Sequence, residues 1–476
     1  MKRLIKSELV KLLKSRTHLI LIILLTLSTV ILTYLSFKDY GRLYDDLKYY
    51  ENFSGDKIDS ISAAKIVDET LHQYAGKWSE NTYQQIKKDY LQLVSKYPRQ
   101  IINDEAMKKV YGDNYKPIMD KSLAGELTED EFEHYMSTVD ASRGYSLYGD
   151  EEGHCHIQLY YNEDGIYHLL SLIYTSPYFV EENDASQTFD TVWEENDYIF
   201  KHGEQLVKDN YSYENSNSQQ LILQDYLISQ VHKLPQTFDS VVPNNLFLKA
   251  LRNILWAPLF VVIILLANVF GIEKQYKMDE IIYPTSSSKH QITIAKLITG
   301  TCLGIGIVWL QLLVCFLVSS FILPIHTWNI VIINMASSFF IDWGQMYIPY
   351  TYLTVVVFCF LLTTVGSFAI SLITLGISYL TKSRFIVVIV MTVFIVLSWF
   401  IKRMTFIPTL LKTFMPFNML SFLDYFYGYT AEQGYPYFIF HNSVIPYRTI
   451  VIVGWSLIGI LIVWMLIRQA RKPAID

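Results

Sequence analysis

The chain has 476 residues, of which 51% are hydrophobic and only 18% charged, and its formal net charge is −6. Soluble globular chains carry nearer about a quarter charged residues, and disordered ones are far less apolar. With 21 Gly, 14 Pro and four Cys, the chain is not a collagen, a disulfide scaffold or a low-complexity array. That leaves a multi-span membrane protein with a large polar insertion.

The charge is unevenly divided. Residues 38–250 hold 37 of the 45 acids and 19 of the 39 bases, a net of −18, so the remainder nets +12. An acidic polar block is set into a basic apolar frame, and no basic tail or Arg-rich run points to nucleic acid.

In chain order, residues 1–17 (MKRLIKSELVKLLKSRT) predict a basic amphipathic helix. The first apolar run, 18–37, is too long for a signal-peptide core and lacks a small-x-small cleavage site, so it reads as a retained span. Within 38–250, apolar residues at helical spacing predict helices over SISAAKIVDETLHQYAG and TYQQIKKDYLQLVSKYP, with further ones near 187–210 and 217–234. Thr128 and Glu131 stand at capping-box spacing, and HIQLYYNEDGIYHLLSLIY predicts a hairpin turning at NEDG. His154, Cys155 and His156 are soft and imidazole donors, but alternation along a strand sends Cys155 to the opposite face, so they read as strand residues rather than a metal site. Many of the 35 tyrosines lie in this block and read as half-buried helix faces.

Five more spans are expected at about 253–272, 293–323, 351–380, 385–401 and 449–467, with 331–341 too short to cross. Basic residues ahead of the first span, in the loops after the second and fourth, and after the sixth place both termini in the cytoplasm and 38–250 outside. Lys402, Arg403, Lys412 and Arg448 oppose that orientation weakly. The expected fold is an α-helical polytopic membrane protein: six transmembrane helices plus an α-rich extracytoplasmic domain with a small β-hairpin.

The loop after the second span reads GIEKQYKMDEIIYPTSSSKHQITIAKL. Glu273 leaves the span, Asp279 and Glu280 precede an Ile-Ile step, and Pro284 breaks the helix. Ser286, Ser288 and Lys289 follow, and Lys296 opens the next span. This order resembles the internal loop of type-2 ABC transporter permeases, the exporter-like class. The N-terminal helix, with Glu8, Lys11 and Arg16, resembles the elbow helix of the same family. The Pro-rich stretch 404–445 resembles its external re-entrant segment. The resemblance covers roughly half the chain.

It implies a permease subunit of the cytoplasmic membrane of a bacterium, with loop 273–296 and the elbow docking on a separate ABC ATP-binding subunit. This chain binds no cofactor of its own: it has no G-x-x-x-x-G-K-[ST] motif, so ATP-Mg is expected in the partner. No catalytic motif is visible. A second permease protomer is implied, and Gly300, Gly304, Gly366 and Ser367 are small enough for a close helix interface. Asn268 and Gln311 are polar residues within apolar runs and are candidates for the pathway. An acidic outer domain would attract a cationic substrate such as an antimicrobial peptide. The alternative is a membrane-anchored receptor or immunity protein that binds its ligand through 38–250 and transports nothing.

Overall fold

A computed structural model describes residues 1–38, 50–96 apart from 55, 192–210, 218–271, 289–332, 349–381, 383–404, 407–427 and 436–471. It also describes the strands Tyr145–Gly149 and Cys155–Leu159 and a few single residues between 97 and 191. Among the described residues, six helices are long and apolar enough to cross a membrane: Arg16–Lys38, Val242–Leu266, His290–Ile322, Tyr352–Leu380, Arg384–Arg403 and Tyr447–Arg471. By length and composition these are the spans of a multi-pass membrane protein.

The first, fifth and sixth spans leave rows of large apolar side chains uncovered, among them Leu27 and Ile31, Phe385 and Val393, and Leu457 and Ile460. Such surfaces match hydrocarbon rather than water. The second and fourth spans are the most enclosed, and the second breaks briefly at Leu255 between Val242–Ile254 and Trp256–Leu266.

That second span begins at Val242, about ten residues before the run at 253 that hydropathy alone predicts. The added turns carry Asn244 and Asn245, which the sequence places in the polar block 38–250, and Asn253 follows where the expected span begins. Each finds a partner. Asn244 Nδ2 donates to the Thr327 carbonyl at 3.0 Å, and Tyr352 Oη donates to Asn245 Oδ1 at 2.6 Å. Asn253 Nδ2 donates to Ser36 Oγ at 2.9 Å. Polar groups satisfied in this way can be buried at little cost, so the helix extends into them.

Of the expected re-entrant stretch 404–445, the described residues form Thr409–Thr413, the 3-10 turn Asn418–Leu420, Asp424–Tyr427 and a hairpin of Tyr437–Phe440 with Ser443–Pro446. Its two-residue turn carries His441 at φ 52, the left-handed conformation that such turns require. Trp455 Nε1 donates to the Phe414 carbonyl at 2.7 Å and Tyr425 Oη to the Thr413 carbonyl at 2.6 Å, which fixes the short helices. The segment 333–341, expected to be too short to span, lies outside the described residues.

A second compact unit comprises Lys38–Phe179 and Gln187–Asp197. Helices Ser60–His72 and Glu80–Lys96 match the sequence expectation. Their apolar faces bury Ala64, Val67, Leu71 and Ile86, and Tyr90 tilts against Trp193 with centroids 4.9 Å apart. Strand Cys155–Leu159 pairs with the preceding Tyr145–Gly149, Gly149 opposite Cys155. Of the expected return strand after NEDG, Leu169 and Ile173 are helical and the rest lies outside the described residues. Residues 160–168 and the capping-box residue Glu131 lie outside the described residues.

Two outcomes follow from these contacts. Tyr352→Phe strips a buried oxygen of Asn245 of its donor, and the cost is about 1–3 kcal/mol, read as a lower melting temperature of the detergent-solubilised chain. Asp59 caps Ser60–His72 by accepting from the Ser62 N–H at 2.8 Å, and hydrogen bonds from Ser62 hold its carboxyl below the ordinary 3.8. Asp59→Ala should therefore cost about 1 kcal/mol and speed hydrogen exchange of that helix about fivefold. A depressed carboxyl contributes stability above its unfolded value, so the parent should lose the same protection as pH falls below about 4.

Candidate functional site

Three groups of residues within the span-bearing unit carry the features that the sequence singled out. The first is where the N-terminal helix, the end of the second span and the start of the third come together. Helix Lys2–Lys14 packs along the third span, where Thr299 Oγ1 donates to the Ile5 carbonyl at 3.4 Å and Leu12 joins the core of the spans. Its turn into the first span is closed by His18 Nδ1, 2.8 Å from the Leu12 carbonyl. Glu8 and Lys11 pair with each other at 2.6 Å on the helix surface, and Arg16 begins the first span, exposed.

Beside them, Lys296 is 1% exposed and donates its ammonium to the Val269 carbonyl at 2.7 Å, with the Phe270 ring 5.2 Å from Nζ. A cation at a helix C-terminus meets the negative end of the helix dipole and takes a carbonyl that has no partner within the helix. From the fourth span, Ser378 Oγ donates to the Ala267 carbonyl at 2.9 Å and accepts from the Phe270 N–H at 3.3 Å. The exit of the second span is thus pinned by two spans just before Glu273. The loop residues Glu273, Asp279, Glu280, Ser286 and Ser288 lie outside the described residues, while Lys289 starts the helix Lys289–Ile322. Asn268 sits in the turn at this exit rather than within the span, its Oδ1 buried without a donor among the described residues.

The second group is the small and polar residues of the spans. Gln311 is completely buried, accepting from Thr29 Oγ1 at 2.7 Å and donating to Thr26 Oγ1 at 3.3 Å, which binds the third span to the first. Gly300 lies against Leu375 of the fourth span and Leu266 of the second. Gly304 lies so close to Ser371 that a Cβ would overlap its hydroxyl. Gly366 meets the Pro416 carbonyl and Met419, and Ser367 beside it is buried with Oγ unpartnered. These residues give their small size to packing within one chain.

The third group escaped the sequence reading. At the opposite end of the bundle, Arg448 opens the sixth span and is 3% exposed. Its guanidinium carbon is 4.7 Å from the ring centre of Tyr350, 4.8 Å from Phe358 and 4.7 Å from Phe426. One long hydrogen bond reaches the Tyr425 carbonyl at 3.5 Å, and Nε has no partner. Tyr350 Oη and Tyr437 Oη are 3.0 Å apart, and the ring of Tyr226, from helix Ser218–Val231, stands edge-on to Tyr437 at 5.9 Å. Burial, with Tyr350 beside it, pushes the Tyr226 hydroxyl up to about 12. Desolvating a guanidinium without a carboxylate costs several kcal/mol, and each ring face returns about 0.5–2 kcal/mol, so the box is close to balance.

A polar cleft of about 570 Å³ also opens between the kink at His202 in helix Val192–Asn210 and the turn at Val231–Gln236, where His232 Nε2 lies 3.2 Å from Glu204 Oε1. Among the described residues no three His, Cys, Asp or Glu side chains converge to hold a metal.

The Gly304–Ser371 contact gives a double-mutant test. Gly304→Ala should destabilise the solubilised chain by about 1–3 kcal/mol through overpacking, while Ser371→Ala alone should be neutral or slightly stabilising because that hydroxyl has no partner. In the Ser371→Ala background the nearest atoms to the new methyl are at 3.2 and 3.3 Å, and most of the loss should be recovered. Compared with known proteins, the chain matches no family model, no curated protein and no solved structure.

Proposed function

We propose that this chain is the membrane-spanning permease subunit of an ATP-driven ABC transporter, which exports or clears a peptide-like, lipid-like or drug-like substrate. The observation that supports the reading most is the convergence of Lys2–Lys14, the end of the second span and the start of the third. The sequence had singled out the N-terminal helix and loop 273–296 separately, as the two elements resembling ATPase-docking parts. A basic helix packed on the third span, whose start at Lys289 closes that loop, supports a shared docking role for the two.

The pinned exit of the second span supports the mechanism as well. Lys296 and Ser378 tie the base of the loop to the third and fourth spans, so a push on the loop is delivered to three helices rather than absorbed by a hinge. Nucleotide-driven closure of two partner ATPases, each under one of two facing permease protomers, would then bias the spans between inward-open and outward-open arrangements. In this reading both termini are cytoplasmic, the acidic block ahead of Val242 faces outward, and the hydrolysed ATP-Mg belongs to the partner.

The test is a mild-detergent pull-down of the tagged full chain beside a Glu273→Lys, Asp279→Lys variant. A P-loop ATPase retained by the parent and lost by the variant is the expected result. Absence of an ATPase from both samples, after crosslinking in the membrane, would overturn the reading in favour of a ligand-binding membrane receptor.

A further inference from the structure

The box around Arg448 satisfies the charge of the guanidinium without satisfying its hydrogen bonds. Ring faces attract a cation but accept none of its five N–H groups in the way an oxyanion does. Nε is unpartnered, the carbonyl contact is 3.5 Å long, the other polar neighbour is the Tyr350 hydroxyl, and no carboxylate among the described residues pairs with this side chain. The natural complement of a planar guanidinium fork is a carboxylate or a phosphate, bound through two parallel hydrogen bonds.

The walls of the box come from separate elements of the chain. Tyr350 and Phe358 stand at the entry of the fourth span and Phe426 in the short helix Asp424–Tyr427, while Arg448 itself begins the sixth span. Tyr437, on the hairpin, bonds to Tyr350 and closes the far side. A separation of the fourth and sixth spans at this end would take the faces of Tyr350 and Phe358 away together and uncover the fork.

We propose that Arg448 is a cryptic oxyanion-binding group. While this end of the bundle is closed, three aromatic faces hold the guanidinium; when it opens, the fork takes the carboxylate or phosphate of an entering ligand. The inference goes beyond the transport reading and does not require an ATPase at the other end of the spans.

Hydrogen exchange of residues 419–427 and 437–451, followed on the full chain in a neutral detergent, tests it with inorganic phosphate as the probe. When phosphate replaces chloride at constant ionic strength, exchange in both segments should rise about threefold once phosphate reaches twice its dissociation constant for the open form. Arg448→Met should abolish the rise, and it also controls for general salt effects on stability. Phe358→Leu, which removes one wall and keeps the cation, should raise the basal exchange and retain the phosphate response; if Arg448→Met fails to fold, loss of that response in Phe358→Leu overturns the proposal.

Parallel nanodiscs of phosphatidylglycerol and phosphatidylcholine separate the sources. A rise in phosphatidylglycerol alone supports a lipid headgroup as the oxyanion, and a rise with inorganic phosphate supports a soluble one. No rise with either, or an equal rise in Arg448→Met, overturns the proposal.

Discussion

The second span is held at both ends by buried hydrogen bonds, and much of the bundle is arranged around them. At one end Asn245 accepts from Tyr352 and Asn244 donates to the Thr327 carbonyl; at the other, Lys296 and Ser378 take the carbonyls of Val269 and Ala267. In an apolar environment an unmade hydrogen bond is expensive, so these pairings specify which helices are neighbours. Hydrophobic contact alone would not, because every face of these helices is apolar and one Leu-rich surface packs against another nearly as well as against lipid. The bond from Gln311 to Thr29 does the same for the first and third spans.

Small residues complete what the polar ones specify. Gly300 and Gly304 let the third span lie directly on the fourth, and Gly459 of the sixth span lies beneath the Phe368 ring of the fourth. Gly454 carries the Phe414 ring, which helps seat the short helices of 409–427 against the sixth span. The result is a fourth span enclosed by its neighbours, with the first, fifth and sixth presenting apolar surfaces outward.

The two ends of the bundle treat charge differently. At one, Lys296 meets a helix terminus whose carbonyl and dipole both suit a cation, so the charge is matched by backbone. At the other, Arg448 is matched mainly by ring faces and one long carbonyl contact, which leaves Nε unused. The first arrangement fixes a helix end in place, which suits a point through which force is passed. The second is close to balance and suits a part that changes state.

The sequence by itself marked the six apolar runs that form helices of spanning length among the described residues, because a run of about 20 apolar residues is a solvation requirement that neighbours in the fold do not alter. It also determined the amphipathic N-terminal helix and the helices Ser60–His72 and Glu80–Lys96, where spacing and caps are local. Tertiary structure decided the rest. The start of the second span at Val242 depends on partners for Asn244 and Asn245 that are 83 and 107 residues away in the chain. The strand Cys155–Leu159 was legible, but alternation is symmetric with respect to which neighbour pairs with it. Gly304 carries no mark of what it faces, and its partner Ser371 is known only once the third and fourth spans are side by side. Arg448 and Lys412 looked like external charges that opposed the orientation, yet both are buried, since the groups that cover them lie elsewhere in the sequence. Local patterns report what a segment needs from solvent; which segment meets the need is a property of the assembled chain.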